Sequence, residues 1–138
     1  MRQTSVPEPP RPRSASQLTK EHAQAGVEAF FRIMAVWGVK NDDARILLGS
    51  PSPRTPFNWK KGTVAGLPTD TMRRVSYILG IYKALQILYS RPALADGWVK
   101  RENRFFGDQS PLERMLGGDV SDLFVVRQYL DAARGGWA

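Results

Sequence analysis

The carboxyl end of the chain carries the most distinctive candidate for chemistry. Its last five residues, RGGWA, follow a run with helical spacing, and two glycines there allow a sharp change of chain direction. Trp137, next to the terminal carboxylate of Ala138, forms a flat apolar group with an anion beside it, and Trp is enriched among interface anchors. Arg134 is available to pair with a carboxylate. From the residues alone, two readings stay open: Trp137 packs on its own core, near Trp98, or it binds another molecule.

A second candidate lies at residues 41–62, NDDARILLGSPSPRTPFNWKKG, which predicts two short helices across a turn. The second helix is expected to turn Phe57 or Trp59 inward. Its outward face would carry Arg54, Asn58, Lys60 and Lys61. Arg and Asn side chains read base edges and Lys side chains pair with phosphates, so this face is a candidate for binding DNA. The alternative is an ordinary helical corner whose basic residues are solvated.

Pro56 counts against specific base reading by this unit. A proline removes a helical hydrogen bond and disfavours helical geometry at the residue before it, here Thr55. Recognition helices contact bases mainly through their N-terminal residues. We therefore expect a recognition helix that is shortened at its N-terminal end.

Composition narrows the classes of function. The 138 residues carry a net charge of +7, with the basic excess in the front half and middle, so anionic partners are expected there. The chain has no cysteine and a single histidine, His22, which excludes thiolate chemistry and leaves no obvious catalytic set. We expect no enzyme activity, no metal site and no cofactor. Lacking a membrane-length apolar run and a secretion signal, the chain is expected in the cytoplasm.

The elements that would position these groups are all helical. Residues 1–18 are rich in proline and arginine and are expected to form a disordered arm. A first helix is expected from an N-cap at Thr19 to Gly38, and a second from a cap at Asn41 to Gly49. The apolar stripe of the first helix is Ala23, Val27, Phe30, Met34 and Trp37.

A long helix is expected from about Thr69 to Ser90, at the centre of the molecule, because it carries two apolar stripes. One stripe is Ile78, Ile81, Leu85 and Leu88, and the other is Met72, Val75, Leu79 and Tyr82. A short helix should follow around Trp98, whose side chain we assign to the core. Ser110 and Glu113 predict a capping box with Pro111 at the first helical position. The last helix presents Leu123, Val126, Leu130 and Ala133.

From Trp98 onward, the sequence resembles the toxin-binding domain of the Xre/MbcA/ParS-type antitoxins. The shared pattern is a tryptophan, an asparagine, a glycine, and a proline followed by two apolar positions one helical turn apart. Here these are Trp98, Asn103, Gly107, Pro111, Leu112 and Met115, and the chain ends as the pattern does in Gly136, Trp137 and Ala138. Since the family also carries an Xre-like helix-turn-helix, the resemblance covers residues 19–138. It divides them into a front part, 19–67, and a central helix with the toxin-binding domain, 68–138.

The resemblance implies an antitoxin of a type II toxin–antitoxin system. Its partner would be a RES-domain toxin that degrades NAD or transfers ADP-ribose, and the two chains would form a hetero-oligomer such as a heterotetramer. The antitoxin's C-terminal segment, residues 134–138, would enter or cover the toxin's active site, and Trp137 with the Ala138 carboxylate would imitate parts of NAD. The antitoxin would also bind operator DNA and repress its own operon. The competing hypothesis is a stand-alone helix-turn-helix repressor.

Overall fold

The computed structural model describes residues 15–49, 51–52, 54–61 and 67–135, and within these ranges it contains helices and no strand. The predicted all-α class is confirmed. The α-helices are α1 (Ala15–Trp37), α2 (Asn41–Leu47), α3 (Arg54–Lys60), α4 (Thr69–Leu88), α5 (Pro92–Gly97), α6 (Pro111–Met115) and α7 (Val120–Ala133). Two short 3-10 turns, Trp98–Lys100 and Arg104–Phe106, lie between α5 and α6. No helix in these ranges has the length and apolar composition to cross a bilayer.

Helix α4 lies at the centre of the fold, as predicted, and packs against α1, α5 and α7. Its first stripe is buried at Ile78, Ile81 and Leu85, while Leu88 packs partly buried at the edge of the same core. For the second stripe, the prediction is confirmed at Val75, which is buried, while Leu79 and Tyr82 are partly buried. Met72 is exposed, so its assignment to that stripe was wrong. It lies in the first turn of α4, where the helix borders an open groove beside His22 and Leu67.

Helix α1 buries every residue of its predicted stripe, from Ala23 to Trp37. It begins at Ala15, so the predicted N-cap at Thr19 is wrong, and residues 15–18 are helical rather than part of the arm. The reason is local: residues 15–18, Ala-Ser-Gln-Leu, contain neither Gly nor Pro, so nothing stops the helix from extending a further turn. Residues 1–14 lie outside the described residues.

Two predictions about the following helices are also wrong. Asn41 is the first helical residue of α2 instead of its cap; Lys40 holds the cap position with extended backbone and no side-chain hydrogen bond. Pro56 lies inside α3 and Thr55 is helical. A proline in the first turn of a helix is harmless, because the backbone N–H groups there have no intrahelical acceptor. Pro56 therefore does not shorten α3, contrary to the prediction.

A buried arginine joins the start of α4 to the turn before α7. Arg74 is 7% exposed; its Nε donates to Asp70 Oδ2 at 2.8 Å, and its Nη2 donates to the Gly118 carbonyl oxygen at 2.9 Å. Nearby, the Thr71 hydroxyl donates to the carbonyl oxygen of Leu48 at the end of α2. The end of α2, the start of α4 and the turn before α7 are thereby fixed relative to one another. The hydrophobic core is likewise continuous from α1 to α7.

Candidate functional site

The turn between α5 and α6 is built by the residues of the sequence motif. Trp98 is buried, as predicted, and opens the first 3-10 turn. The Asn103 side chain caps the second: its Oδ1 accepts a hydrogen bond from the Phe105 backbone N–H at 3.0 Å. Gly107 then takes the left-handed conformation with φ of 69°, followed by Asp108 with φ of 65°. A non-glycine residue in this region is uncommon and stores strain, so the path of this turn is tightly determined.

The rest of the motif fixes α6. The Ser110 hydroxyl accepts from the Glu113 backbone N–H at 3.1 Å, and the Glu113 carboxylate accepts from the Ser110 N–H at 3.4 Å. This is the predicted capping box, with Pro111 at the first position. Pro111, Leu112 and Met115 are buried. The motif residues of this helix therefore serve the fold.

Four aromatic rings cluster where this turn meets α7. Tyr129 stacks on Trp98 with ring centroids 6.0 Å apart and planes inclined by 19°, while Phe106 meets Trp98 edge-on at 6.4 Å. Phe105 covers Tyr129 at 4.6 Å and Phe106 at 5.0 Å. Phe106 is buried but Phe105 is 62% exposed. We call the surface formed by Phe105 and the outer side of Tyr129 the aromatic step.

Helix α7 is anchored at its beginning and exposed at its end. Asp119 caps it: Oδ1 accepts from the Ser121 N–H at 3.0 Å, and the Asp122 carboxylate accepts from the Asp119 N–H at 3.1 Å. The hydrogen bonds from Ser121 hold the pKa of the Asp119 carboxyl below its usual value. Leu123, Val126 and Leu130 are buried.

The expected fourth member of the buried stripe of α7 does not belong to it. Ala133 is exposed, together with its neighbours from Ala132 to Gly135, so the prediction for Ala133 is wrong. Packing of α7 onto the core ends at Leu130, and the last turn of the helix stands in solvent. The described chain therefore leaves the core one turn before the C-terminal segment begins.

Comparison with known proteins decides what this arrangement is. The family model described as the antitoxin Xre/MbcA/ParS C-terminal toxin-binding domain matches residues 84–136, from the second half of α4 to the end of α7. The chain belongs to the Xre/MbcA/ParS family of antitoxins. A protein of Sinorhizobium fredii (strain NBRC 101917 / NGR234) named "Uncharacterized protein y4oB" is 53% identical over 114 residues, which cover 81% of this chain and 86% of that protein. No solved structure matches the chain significantly.

The antitoxin therefore belongs to a toxin–antitoxin system, and its partner is a toxin protein that binds this domain. An antitoxin is a regulatory protein, and that is the role the family description indicates. His22, the single histidine, is exposed on α1.

Of the predicted toxin-binding residues, the structure describes Arg134 and Gly135. Both are exposed directly after α7, and Gly135 has φ of 75°, a left-handed conformation that favours glycine. Gly136, Trp137 and Ala138 lie outside the described residues. The role of the whole segment stays a prediction.

The predicted DNA-binding residues lie on and just after α3 and all four are exposed: Arg54, Asn58, Lys60 and Lys61. Trp59 is buried, so of the two inward candidates Trp59 is confirmed, while the Phe57 side chain lies outside the description. By helical spacing, Arg54, Asn58 and Lys61 share a face. Lys60 lies on another side of α3, with its Nζ 5.8 Å from the centre of the Phe31 ring of α1.

Sequence reasoning missed Phe105 and Arg74. In the string RFFG both phenylalanines are equally apolar, and only the geometry of the turn before Gly107 decides that Phe106 is buried and Phe105 is exposed. The sequence did contain one signal of this turn, namely Gly107 of the motif. For Arg74 the sequence held a weaker signal, an acidic residue four positions earlier on the same helix face.

Proposed function

We propose that this antitoxin neutralises a RES-domain toxin that uses NAD, by inserting residues 134–138 into or over the active-site cleft of the toxin. The observation that carries the proposal is the exposed end of α7. The helix is held to the core through Leu130, and from Ala132 the chain is exposed, with Gly135 in a left-handed conformation that redirects it. A rigid helix thus delivers a short segment at a defined place, which lowers the entropic cost of binding.

The residues of this segment have the chemistry that a dinucleotide cleft accepts. Such a cleft binds flat rings and negative charge, which Trp137 and the Ala138 carboxylate offer, and Arg134 would pair with a carboxylate at its rim. The self-packing alternative placed Trp137 near Trp98. Tyr129 and Phe106 already cover Trp98 there, which favours binding of Trp137 to the partner.

The test is protection of cells that express the RES-domain toxin encoded beside this antitoxin. We expect deletion of residues 134–138 to abolish protection and Trp137→Ala to weaken it strongly. Arg54→Ala, on the distant helix α3, is the matched control and should protect fully. Full protection by the truncated chain would show that the segment does not block the toxin.

We also propose that the antitoxin binds operator DNA through α3 and represses its own operon. The observation in favour is the exposed set Arg54, Asn58, Lys60 and Lys61 around the buried Trp59. Family membership makes toxin binding the primary activity, so DNA binding is proposed as an addition to it and not as the stand-alone repressor of the competing hypothesis. Paired copies of antitoxin and toxin would present two such faces to a symmetric operator.

A mobility-shift assay on the antitoxin's own promoter tests this second role. Binding should weaken steeply as salt rises, because phosphate contacts release counterions. Arg54→Ala and Lys60→Ala should each weaken it, whereas the 134–138 deletion should not. Equal binding by wild type and both variants would remove α3 from the interface.

A further inference from the structure

The geometry points to the aromatic step as a second contact with the toxin, one that anchors the antitoxin independently of its C-terminal segment. This inference rests on the proposed toxin-binding role and deepens it. The occupant is the toxin itself, through an apolar pocket that accepts the phenyl ring of Phe105.

Phe105 is exposed without being loose. It has the largest exposed fraction, 62%, among the large apolar side chains of the described residues. Its backbone N–H is held by Asn103, and the carbonyl oxygen of Asn103 accepts from both the Phe106 and the Asp108 N–H groups. Its ring rests on Tyr129 and Phe106. An apolar ring that is already ordered loses little entropy on binding, which is the property of an interface anchor.

The turn that presents this ring is strained. Asp108 has φ of 65°, directly after Gly107 at 69°. Strained backbone persists only where the surrounding structure imposes it, and such sites cluster where a ligand or partner is held. If Phe105 only shielded the core, the buried Phe106 and the stacked Tyr129 would already serve that purpose, since both contact Trp98 directly.

The position of the aromatic step identifies its occupant. Phe105 and Tyr129 both lie within residues 84–136, which match the toxin-binding domain. Tyr129 precedes Arg134 on the same helix, a separation of about 7–8 Å along the axis. Five residues also turn an α-helix by about 140°, so a toxin that receives the C-terminal segment in its cleft reaches Phe105 by extending around the end of α7.

The experiment measures the affinity of the full-length antitoxin for the toxin encoded by the adjacent gene, by titration calorimetry. Phe105→Ala should raise the Kd about tenfold or more, the loss typical of an interface anchor. Phe124→Ala is the matched control: this ring is 46% exposed on the first turns of α7 and contacts Tyr77, away from the aromatic step. It should change the Kd less than about twofold. Both variants should unfold within a few degrees of wild type, because each removes a largely exposed ring.

Phe105→Leu provides the second variant should the alanine variant unfold early. It keeps an apolar side chain but loses the ring contacts, so an intermediate loss of affinity is expected. Equal affinity of wild type, Phe105→Ala and Phe124→Ala would overturn the inference, as would equal losses in the two alanine variants.

The two proposals fail in different ways. If the 134–138 deletion abolishes protection while Phe105→Ala binds normally, the aromatic step is wrong and the blocking segment stands. If the deletion still protects cells but Phe105→Ala does not bind, the reverse holds. Failure of the wild-type antitoxin to bind the adjacent toxin would refute both.

Discussion

Replacing Arg74 with methionine tests the link between the start of α4 and the turn before α7. Methionine keeps an unbranched apolar stem in the buried position and removes both polar contacts of the guanidinium, at 2.8 Å to Asp70 and 2.9 Å to the Gly118 carbonyl oxygen. The substitution therefore isolates the polar part of the interaction. Because Gly118 directly precedes the cap of α7, the start of that helix should loosen as well.

The contacts set the size of the effect. A hydrogen bond from a charged donor, as to Gly118, contributes about 1.5–3 kcal/mol. The pair with Asp70 contributes about 0.5 kcal/mol or less, because the Asp70 side chain is 56% exposed. Removing the guanidinium also removes the cost of burying it, which offsets part of the loss. We expect Arg74→Met to lower the free energy of unfolding by about 1–2 kcal/mol. Arg74→Ala should cost about 2 kcal/mol more, because it also loses buried methylene groups.

Urea unfolding followed by tryptophan fluorescence measures these differences, with Asp70→Asn as the matched control. That variant should lose about 0.5 kcal/mol or less. Should Asp70→Asn cost as much as Arg74→Met, the ion pair and not the Gly118 bond would dominate. An unchanged or more stable Arg74→Met would mean that desolvation of the guanidinium outweighs its bonds, and the reasoning would be refuted.

Two further predictions concern the turn and the cap that flank α6 and α7. Gly107→Ala should destabilise the protein by about 1–2 kcal/mol, because a residue with a Cβ is disfavoured at φ of 69° even though a Cβ there would meet no neighbouring atom. Gly97→Ala is the control: Gly97 has a negative φ, so this variant should be as stable as wild type or more stable. Equal melting temperatures for the two variants would contradict the prediction. Asp119 has a lowered pKa in the folded state, so its contribution to stability is present above the usual aspartate pKa of about 3.9 and is lost as pH falls through the lowered value. Asp119→Asn keeps a capping side chain without a titrating group, so its melting temperature should fall less than that of wild type below about pH 4; parallel curves would show that the Asp119 charge is not involved.

The sequence was sufficient for features that depend on near neighbours in the chain. The stripe of α1, the central position of α4 and the Ser110–Glu113 capping box followed from periodicity and spacing, because a helix places residues three and four apart on one face. The motif from Trp98 to Met115 likewise predicted the toxin-binding domain, which the family model matches over residues 84–136.

The sequence-based predictions were wrong at helix boundaries, where several possible first residues of a helix have similar free energies. Thr19 and Asn41 are both good caps, yet neither caps its helix: α1 begins four residues before Thr19, and Asn41 is the first helical residue of α2 after the extended Lys40. Pro56 was read by its effect in a helix interior, while its position within the first turn of α3 depended on where that helix begins. Because Pro56 lies in the first turn of α3 and not in its interior, the expected shortening of the helix does not occur.

By itself, the sequence determined the helical class, the main buried stripes and the family to which the chain belongs. Only the tertiary structure decided that Phe105 is exposed and Phe106 buried, and that Arg74 is a buried link while the cations of α3 are exposed. Residue type sets the free energy of burying a side chain, but which side chain is buried depends on contacts between residues far apart in sequence, here Tyr129 for Phe105 and Gly118 for Arg74.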